Sequence, residues 1–311
     1  MIPKFPQFKN LEISDKEVIT PWRCDTSHLY FVFKGLYMGN NEKTHTIYGI
    51  DFSGAANAGS KIWMTKALLN FDKLIVQACY PAKDLVGSDA SRDESLNALN
   101  NLLKNETTCF VGIDTSFSIP SILIKETTWV AFIHKFPTRY NSAEDFRKQC
   151  LIATNGKEYK RMNNTKIRSP FSSYNLRMYR QTYYGIKYIL YPLLRDNAAC
   201  ILPMQTYTPS LTSIIEVCPA NTLKELSLYT SYKGETNVHL GARANIVKQL
   251  IFDKHVNFQN ESLVTRIIKD SQGDALDSVI AAITTAKTAI AIKTGKVKTG
   301  MEKMLEGYIY T

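Results

Sequence analysis

Two stretches of sequence decide the fold, Tyr48-Gly49-Ile50-Asp51-Phe52-Ser53-Gly54-Ala55 and Phe110-Val111-Gly112-Ile113-Asp114-Thr115-Ser116. Each is an apolar, β-prone run that meets a lone aspartate, which predicts a buried strand with a carboxylate at its end. If the strands are parallel neighbours, Asp51 and Asp114 share one edge of the sheet, and that edge is where open α/β sheets bind ligands. Adjacent carboxylates repel each other, so one must bind a proton at neutral pH unless a cation lies beside them. The two aspartates therefore predict a cation site.

Hydrophobic periodicity predicts an α/β order of elements around these two runs. The second and third predicted strands, 60–68 and 73–79, are separated by so few residues that we expect them to be antiparallel neighbours. A helix follows them, with Ser88 or Ser91 as its N-cap and Leu96, Leu99 and Leu103 along one face. The predicted strands are 45–53, 60–68, 73–79, 107–114 and 211–217, and further helices are predicted at 174–191, 220–229, 241–254 and 261–269.

A strongly apolar segment late in the chain predicts a helix that is buried on most of its surface. It begins near Gly273 and reads Asp274-Ala275-Leu276-Asp277-Ser278-Val279-Ile280-Ala281-Ala282-Ile283. Asp274 and Asp277 are three residues apart, so they share one face of the first turn. Acids in a first turn also stabilise a helix through its dipole, so either residue alone is compatible with a structural role.

Positive charge is concentrated between Lys135 and Lys187. This segment holds twelve Lys and Arg residues against three Asp and Glu residues, in a chain whose formal net charge is +10. Such a segment attracts polyanions, of which nucleic acid is the commonest, although a solvated basic face would have the same composition. Aromatic rings lie among the cations and would suit either stacking on unpaired bases or ordinary packing. The candidate nucleic-acid-binding residues are Lys157, Lys160, Arg161, Lys166, Arg168, Arg177 and Arg180.

Length and composition are those of a globular protein that can bury a sizeable core: 311 residues, 44% hydrophobic and 21% charged. No apolar run reaches the roughly 18 residues of a membrane span, and the first residues lack a signal-peptide pattern. We therefore expect a cytoplasmic protein with no membrane attachment. The six cysteines form no Cys-x-x-Cys pair and the five histidines show no metal-ligand spacing, so we expect reduced cysteines and no zinc site.

The order of elements resembles the ribonuclease H-like fold. That fold is α/β, with a mixed five-stranded sheet in the order 3-2-1-4-5 flanked by helices, and here a basic helical insertion at about 119–195 would separate strands 4 and 5. Five motifs in the same order resemble domain-of-unknown-function family 429, whose members are predicted nucleases of this fold. The resemblance covers residues 45–311, so we expect one ribonuclease H-like domain at 44–311 after an N-terminal extension at 1–43. The motifs are Gly49-Ile50-Asp51-Phe52-Ser53-Gly54, Gly112-Ile113-Asp114-Thr115, Ile215-Glu216-Val217-Cys218-Pro219, Gly273-Asp274-Ala275-Leu276-Asp277-Ser278-Val279-Ile280-Ala281-Ala282 and Glu306-Gly307-Tyr308-Ile309-Tyr310.

This resemblance implies a nuclease that hydrolyses phosphodiesters of DNA or RNA with two Mg²⁺ or Mn²⁺ ions. Asp51 would bridge the two ions, Asp114 would hold one of them, and Asp274 and Asp277 would hold the other. Glu216 is the remaining catalytic candidate. Its strand neighbours strand 4, so its carboxylate would reach the same edge as a metal ligand or general base.

Two alternative functions remain open from the sequence. The chain would be a noncatalytic nucleic-acid-binding protein if its acids are structural. Residues Asp51 to Gly59 also resemble the first phosphate loop of actin-like kinases and ATPases, which implies nucleotide phosphotransfer, but the sequence lacks the duplicated halves and the glycine-rich adenosine motif of those proteins. The aromatic residues of the extension at 1–43 would pack against the main domain or a second subunit, and the sequence does not decide between them.

Overall fold

A mixed β-sheet forms the centre of the protein, and the computed structural model describes residues 44–162, 171–301 and 304–311. The predicted N-terminal extension lies outside the described residues. Within them the sheet has eight strands. The strands are β1 (His45–Asp51), β2 (Trp63–Asn70), β3 (Lys73–Pro81), β4 (Phe110–Asp114), β5 (Ala199–Leu202), β6 (Thr212–Val217), β7 (Asn257–Phe258) and β8 (Ile309–Tyr310).

The strands run in the order β5-β6-β4-β1-β2-β3-β7, and β8 pairs with β6. Strands β1, β2 and β3 are antiparallel neighbours, whereas β1, β4 and β6 are parallel. The predicted order 3-2-1-4-5 is therefore confirmed as β3-β2-β1-β4-β6, which is the order of a ribonuclease H-like sheet. The expected number of five strands is wrong because β5, β7 and β8, of two to four residues each, are too short to show a period of two in the sequence.

Helices cover both faces of this sheet. The helix after β3 begins at Arg92, and the hydroxyl of Ser91 accepts a hydrogen bond from the Glu94 amide, so Ser91 rather than Ser88 is its N-cap. The predicted helix at 174–191 instead begins at Tyr179 and includes a π-helical segment, Gly185–Leu190. The helices are α1 (Ala58–Lys61), α2 (Arg92–Asn105), α3 (Trp129–Arg139), α4 (Ala143–Ala153), α5 (Tyr179–Tyr184), α6 (Tyr191–Arg195), α7 (Pro219–Glu225), α8 (Asn237–Phe252), α9 (Glu261–Lys269) and α10 (Asp274–Lys293).

The sheet separates two hydrophobic cores. On one face, Ile50 and Ile113 pack with α2 and with α3 to α6, which form the helical insertion. On the other face, Ile47 and Ile215 pack with α8, α9 and α10. The period of two along each strand explains the division, because successive side chains point to opposite faces.

Two glycines allow α10 to cross the sheet at very short range. Gly49 and Gly112 lie opposite each other in the register of β1 and β4. A Cβ atom on Gly49 would overlap the backbone of Ser278 and Ala282, and one on Gly112 would overlap the side chain of Thr285. We call this pair the glycine notch. Each glycine precedes a strand-end aspartate by two residues, so the notch and the aspartates lie on the same face.

Among the described residues, α10 has the length and apolar composition of a membrane span, which corrects the expectation that no segment does. Most of the helix is buried inside the protein. Its Ser278 hydroxyl lies 2.7 Å from the hydroxyl of Thr65 on β2, and its Thr284 hydroxyl lies 2.7 Å from that of Thr222 on α7. The apolar composition of α10 is therefore explained by its burial between the sheet and α7 to α9.

Candidate functional site

Asp51 and Asp114 lie side by side at the carboxyl edge of the sheet. The parallel register of β1 and β4 pairs these two residues directly, and paired strands are about 4.8 Å apart. Both aspartates are partly exposed. The edge therefore presents two neighbouring acidic residues that the rest of the protein only partly covers.

The first turn of α10 brings two more carboxylates to the same place. Gly273 has a φ of 77°, a left-handed conformation that suits glycine, and it lets the chain turn into the helix at Asp274. The glycine notch then holds this end of α10 against β1 and β4. The carboxylates of Asp274 and Asp277 consequently interact electrostatically with that of Asp51, and Asp277 also interacts with Asp114. We call these four residues the acidic edge.

The pKa values of all four carboxyl groups are raised, and burial is the largest cause for each of them. Burial and the charge of Asp277 raise the pKa of Asp51 well above its ordinary value. The same two causes raise the pKa of Asp114 to about 8. Burial also raises the pKa of Asp274 and Asp277, although Lys233 acts in the opposite direction on both. Without a cation, protons neutralise part of the negative charge of these carboxylates. A bound cation would replace those protons and be stabilised by the same charge.

A lysine that no sequence motif marks already lies in the acidic edge. The ammonium group of Lys233 is 2.6 Å from Oδ2 of Asp277 and 3.6 Å from Oδ1 of Asp274. Burial by itself would lower the pKa of Lys233, but the carboxylates of Asp277 and Asp51 outweigh it and raise the pKa. The neighbouring Tyr232 hydroxyl donates to Oδ1 of Asp277 at 2.6 Å. Both carboxylate oxygens of Asp277 are therefore engaged.

A buried arginine fixes the segment that carries this lysine. Arg243 on α8 is 2% exposed, and it donates to the backbone carbonyls of Tyr232 at 2.6 Å and Gly234 at 2.9 Å. The Gly234 amide in turn donates to the Ser271 carbonyl at 2.7 Å. No motif marks Lys233 in the sequence, because it lies in a polar connection between α7 and α8. Arg243 leaves one signal, a cation on the same helical face as the apolar residues Ile246, Val247 and Leu250.

Glu216 does not belong to the acidic edge, which corrects its assignment as a ligand or general base. In the pairing of β4 with β6 it lies opposite Ile113 rather than Asp114, so its side chain points to the other face of the sheet. There its carboxylate accepts hydrogen bonds from both terminal nitrogens of Arg161 and from the Phe117 amide at 3.0 Å. Glu216 is thus one half of a buried ion pair.

The prediction that Arg161 contacts nucleic acid at the surface is therefore wrong. Its side chain is 1% exposed, and besides Glu216 it donates to the Glu306 carbonyl at 2.9 Å. It therefore joins the helical insertion to β6 and to the C-terminal segment. The carboxylate of Glu306 accepts the Ser121 amide at 2.7 Å, which strengthens the same connection.

Four of the other predicted basic residues are exposed: Lys157, Lys160, Arg177 and Arg180. Lys166 and Arg168 lie outside the described residues. Tyr140, Tyr174, Tyr179 and Tyr183 are buried, so these rings pack in the core, whereas Tyr159 is 41% exposed.

The start of α5 lies directly against the acidic edge. A Cβ atom on Gly54, three residues after Asp51, would overlap the Arg180 backbone. The Gln181 side chain donates to the backbone carbonyl of Asp114. The backbone at the start of α5 therefore lies beside the carboxyl edge of the sheet, and the exposed cations Arg177 and Arg180 belong to this part of the chain. The Arg180 guanidinium is 3.0 Å from the Glu144 carboxylate.

The donor set of the acidic edge fits a hard divalent cation in its chemistry. All four residues offer carboxylate oxygens, the ligands that Mg²⁺ and Mn²⁺ prefer. The ammonium group of Lys233 is a cation that already contacts one of these carboxylates, that of Asp277. Within the described part of the chain, however, no three carboxylate, histidine or cysteine side chains are close enough to share one ion. The expected two-ion centre is therefore not preformed.

Comparisons with known proteins give a structural likeness and no match in sequence. No protein-family model matches the chain, and no curated protein sequence matches it. The fold is similar to the crystal structure of the yeast mitochondrial Holliday junction resolvase Ydc2, with 14% sequence identity and a TM-score of 0.37 over 82% of this chain and 87% of that chain. At that TM-score the assignment of a ribonuclease H-like fold rests on the strand order and register of this chain.

Proposed function

We propose that this protein is a divalent-metal-dependent nuclease that hydrolyses nucleic-acid phosphodiesters at the acidic edge. One observation carries the proposal: Asp51, Asp114, Asp274 and Asp277 converge at the carboxyl edge of the sheet with raised pKa values. A cluster that only served stability would gain from neutral side chains here, because burying uncompensated charge is costly. Perturbed carboxyl groups at a ligand-binding edge are typical of a functional site.

In this proposal the carboxylates of Asp51, Asp114 and Asp274 would draw together around the metal when it binds, with Asp277 held beside them by Tyr232 and Lys233. Bound Mg²⁺ or Mn²⁺ would polarise the scissile phosphate and lower the pKa of an attacking water. The exposed side chains of Arg177 and Arg180 would hold the nucleic-acid backbone across the edge, and those of Lys157 and Lys160 would extend this basic surface.

The five motifs given above support membership of domain-of-unknown-function family 429 as a further part of the proposal. We also propose one domain at 44–311, which the five motifs span, and a cytoplasmic location.

The experiment is a cleavage assay on labelled single-stranded, duplex, hybrid and branched DNA and RNA, in Mg²⁺, in Mn²⁺ and in EDTA. We expect the wild-type protein to cut at least one substrate with either metal, and Asp51→Asn to reduce the rate by at least about 100-fold, since an isosteric amide removes a metal-binding charge. Asp72→Asn is the matched control. Asp72 is exposed in the turn between β2 and β3, at the opposite end of the sheet, so its loss should leave cleavage unchanged.

A noncatalytic nucleic-acid-binding protein is the second candidate, and the Lys233–Asp277 ion pair favours it, because part of the acidic charge is already neutralised. Salt-sensitive binding of nucleic acid without cleavage, equal in wild type and Asp51→Asn, would support this candidate and reject the nuclease. Hydrolysis of ATP in place of nucleic acid would instead support the actin-like phosphotransferase.

A further inference from the structure

Lys233 occupies the acidic edge as a fixed feature of the fold. Its ammonium group is 2.6 Å from Asp277, a side chain that is 6% exposed, and it also attracts Asp51 and Asp274. Half of the lysine side chain remains exposed, whereas the Asp277 side chain that it contacts is buried.

Hydrogen bonds hold the backbone on both sides of Lys233, so the position of this lysine is fixed by the fold. Arg243 binds the carbonyls of the residues before and after it, Tyr232 and Gly234. Gly234 has a φ of 145°, which favours glycine, and a Cβ atom there would overlap the His239 ring. Arg243 also donates to the Ile268 carbonyl of α9 at 2.7 Å, so this buried arginine fixes the segment that carries Lys233 against both α8 and α9.

The engaged oxygens of Asp277 leave fewer ligands for metal. Oδ1 accepts from Tyr232 and Oδ2 is paired with Lys233. The carboxylates of Asp51, Asp114 and Asp274 remain, and because no three carboxylates of the described residues are close enough to share an ion, these three would have to draw together to hold one hard cation. A second divalent ion would have to replace the ammonium group at Asp277.

We propose that Lys233 is a resident cation that takes one of the two cation positions of the acidic edge, so that the native site binds one divalent ion. This inference rests on the proposed function and replaces its expected two-ion centre. The lysine is a positioning residue: it neutralises Asp277 and keeps this carboxylate away from metal.

The test is the stoichiometry of Mn²⁺ binding to metal-free protein, measured by calorimetry and by electron paramagnetic resonance. We expect one Mn²⁺ per wild-type chain, with the spectrum of an isolated ion. Lys233→Met should bind two ions, with the spectrum of a spin-coupled pair. Lys233→Arg keeps the charge and should bind one. Lys73→Met, which changes an exposed lysine at the opposite end of the sheet, should also bind one.

The outcomes separate this inference from the nuclease proposal. Two ions on the wild-type protein would overturn it without any variant, even if Lys233→Met fails to fold. Equal stoichiometry in wild type and a folded Lys233→Met would also overturn it. If wild type binds no ion and Lys233→Met binds one, the lysine is the resident cation but the metal-dependent nuclease is rejected. If neither protein binds an ion, both proposals fail.

Discussion

Asp114 shows at the scale of one residue how the acidic edge couples stability to pH. Burial and the charge of Asp277 raise its pKa from 3.8 to about 8 on folding. Between these values the folded protein holds a proton that the unfolded chain has released. The contribution of this proton to the free energy of unfolding is therefore complete below about pH 4 and is lost as the pH rises to about 8.

We therefore expect Asp114→Asn to stabilise the metal-free protein at pH 8, by roughly 1–3 kcal/mol, and to have little effect at pH 4. An amide stays neutral, so the variant avoids the burial of a charge as the pH rises. Urea unfolding in EDTA at both pH values measures the difference. Equal effects of the substitution at pH 4 and pH 8 would show that the Asp114 carboxyl group does not titrate between these pH values. When Mn²⁺ is added, it should stabilise the wild-type protein more than the variant.

The sequence predicts the aspartates of this site better than their surroundings. The four aspartates could be predicted to meet because local sequence patterns mark the strand ends and the first helical turn on which they lie. They are Asp51, Asp114, Asp274 and Asp277. Glu216 was placed wrongly because a shift of one position in strand register moves a side chain to the other face, and register depends on tertiary pairing. Lys233 was missed because nothing local distinguishes a lysine in a polar connection from any solvated lysine.

At the scale of elements, the glycine notch determines where α10 lies. Gly49→Ala should lower the free energy of unfolding by about 1–3 kcal/mol, because the added methyl group overlaps the backbone of α10, which cannot move without disturbing the core. The first turn of α10 would be displaced from β1 by the same change, so we also expect weaker Mn²⁺ binding. Denaturant unfolding and Mn²⁺ titration measure the two effects.

The matched control is Gly241→Ala in α8, where a Cβ atom would have no neighbour within 4 Å. Alanine is the better helix former, so this variant should be more stable by about 0.5–1 kcal/mol. Opposite signs for the two substitutions would support the notch. A Gly49→Ala protein as stable as the wild type would mean that α10 does not need this close approach.

Long elements with a clear period could be predicted from the sequence, and short ones could not. Strands β1 to β4 and β6 were all expected, as were α2, α9 and α10, because burial imposes a repeat over five or more residues. β5 has only four residues, all buried, so it shows no alternation. The approach of α10 to the sheet could not be predicted either, since the role of a glycine depends on a helix far along the chain.

At the scale of the whole molecule, the exposed cations of the helical insertion should control affinity for nucleic acid. Arg177→Gln should weaken binding about equally for all sequences and reduce the slope of log affinity against log salt concentration by about 1, as expected for one lost phosphate contact. Fluorescence anisotropy over a range of salt concentrations measures the slope. Lys73→Gln, at the opposite end of the sheet, is the control, and a slope reduced equally in both variants would argue against a localised basic surface.

The position of α10 also has a kinetic consequence. The hydroxyl contact between Thr65 and Ser278 joins residues 213 positions apart in the sequence. Chains dominated by such distant contacts refold slowly, because a large loop must close before any of these contacts forms. Until α10 docks, one apolar face of the sheet stays open to solvent, and partly folded chains can associate through it. The yield of refolding should therefore fall as protein concentration rises, and the carboxylate cluster should be the last part of the molecule to assemble.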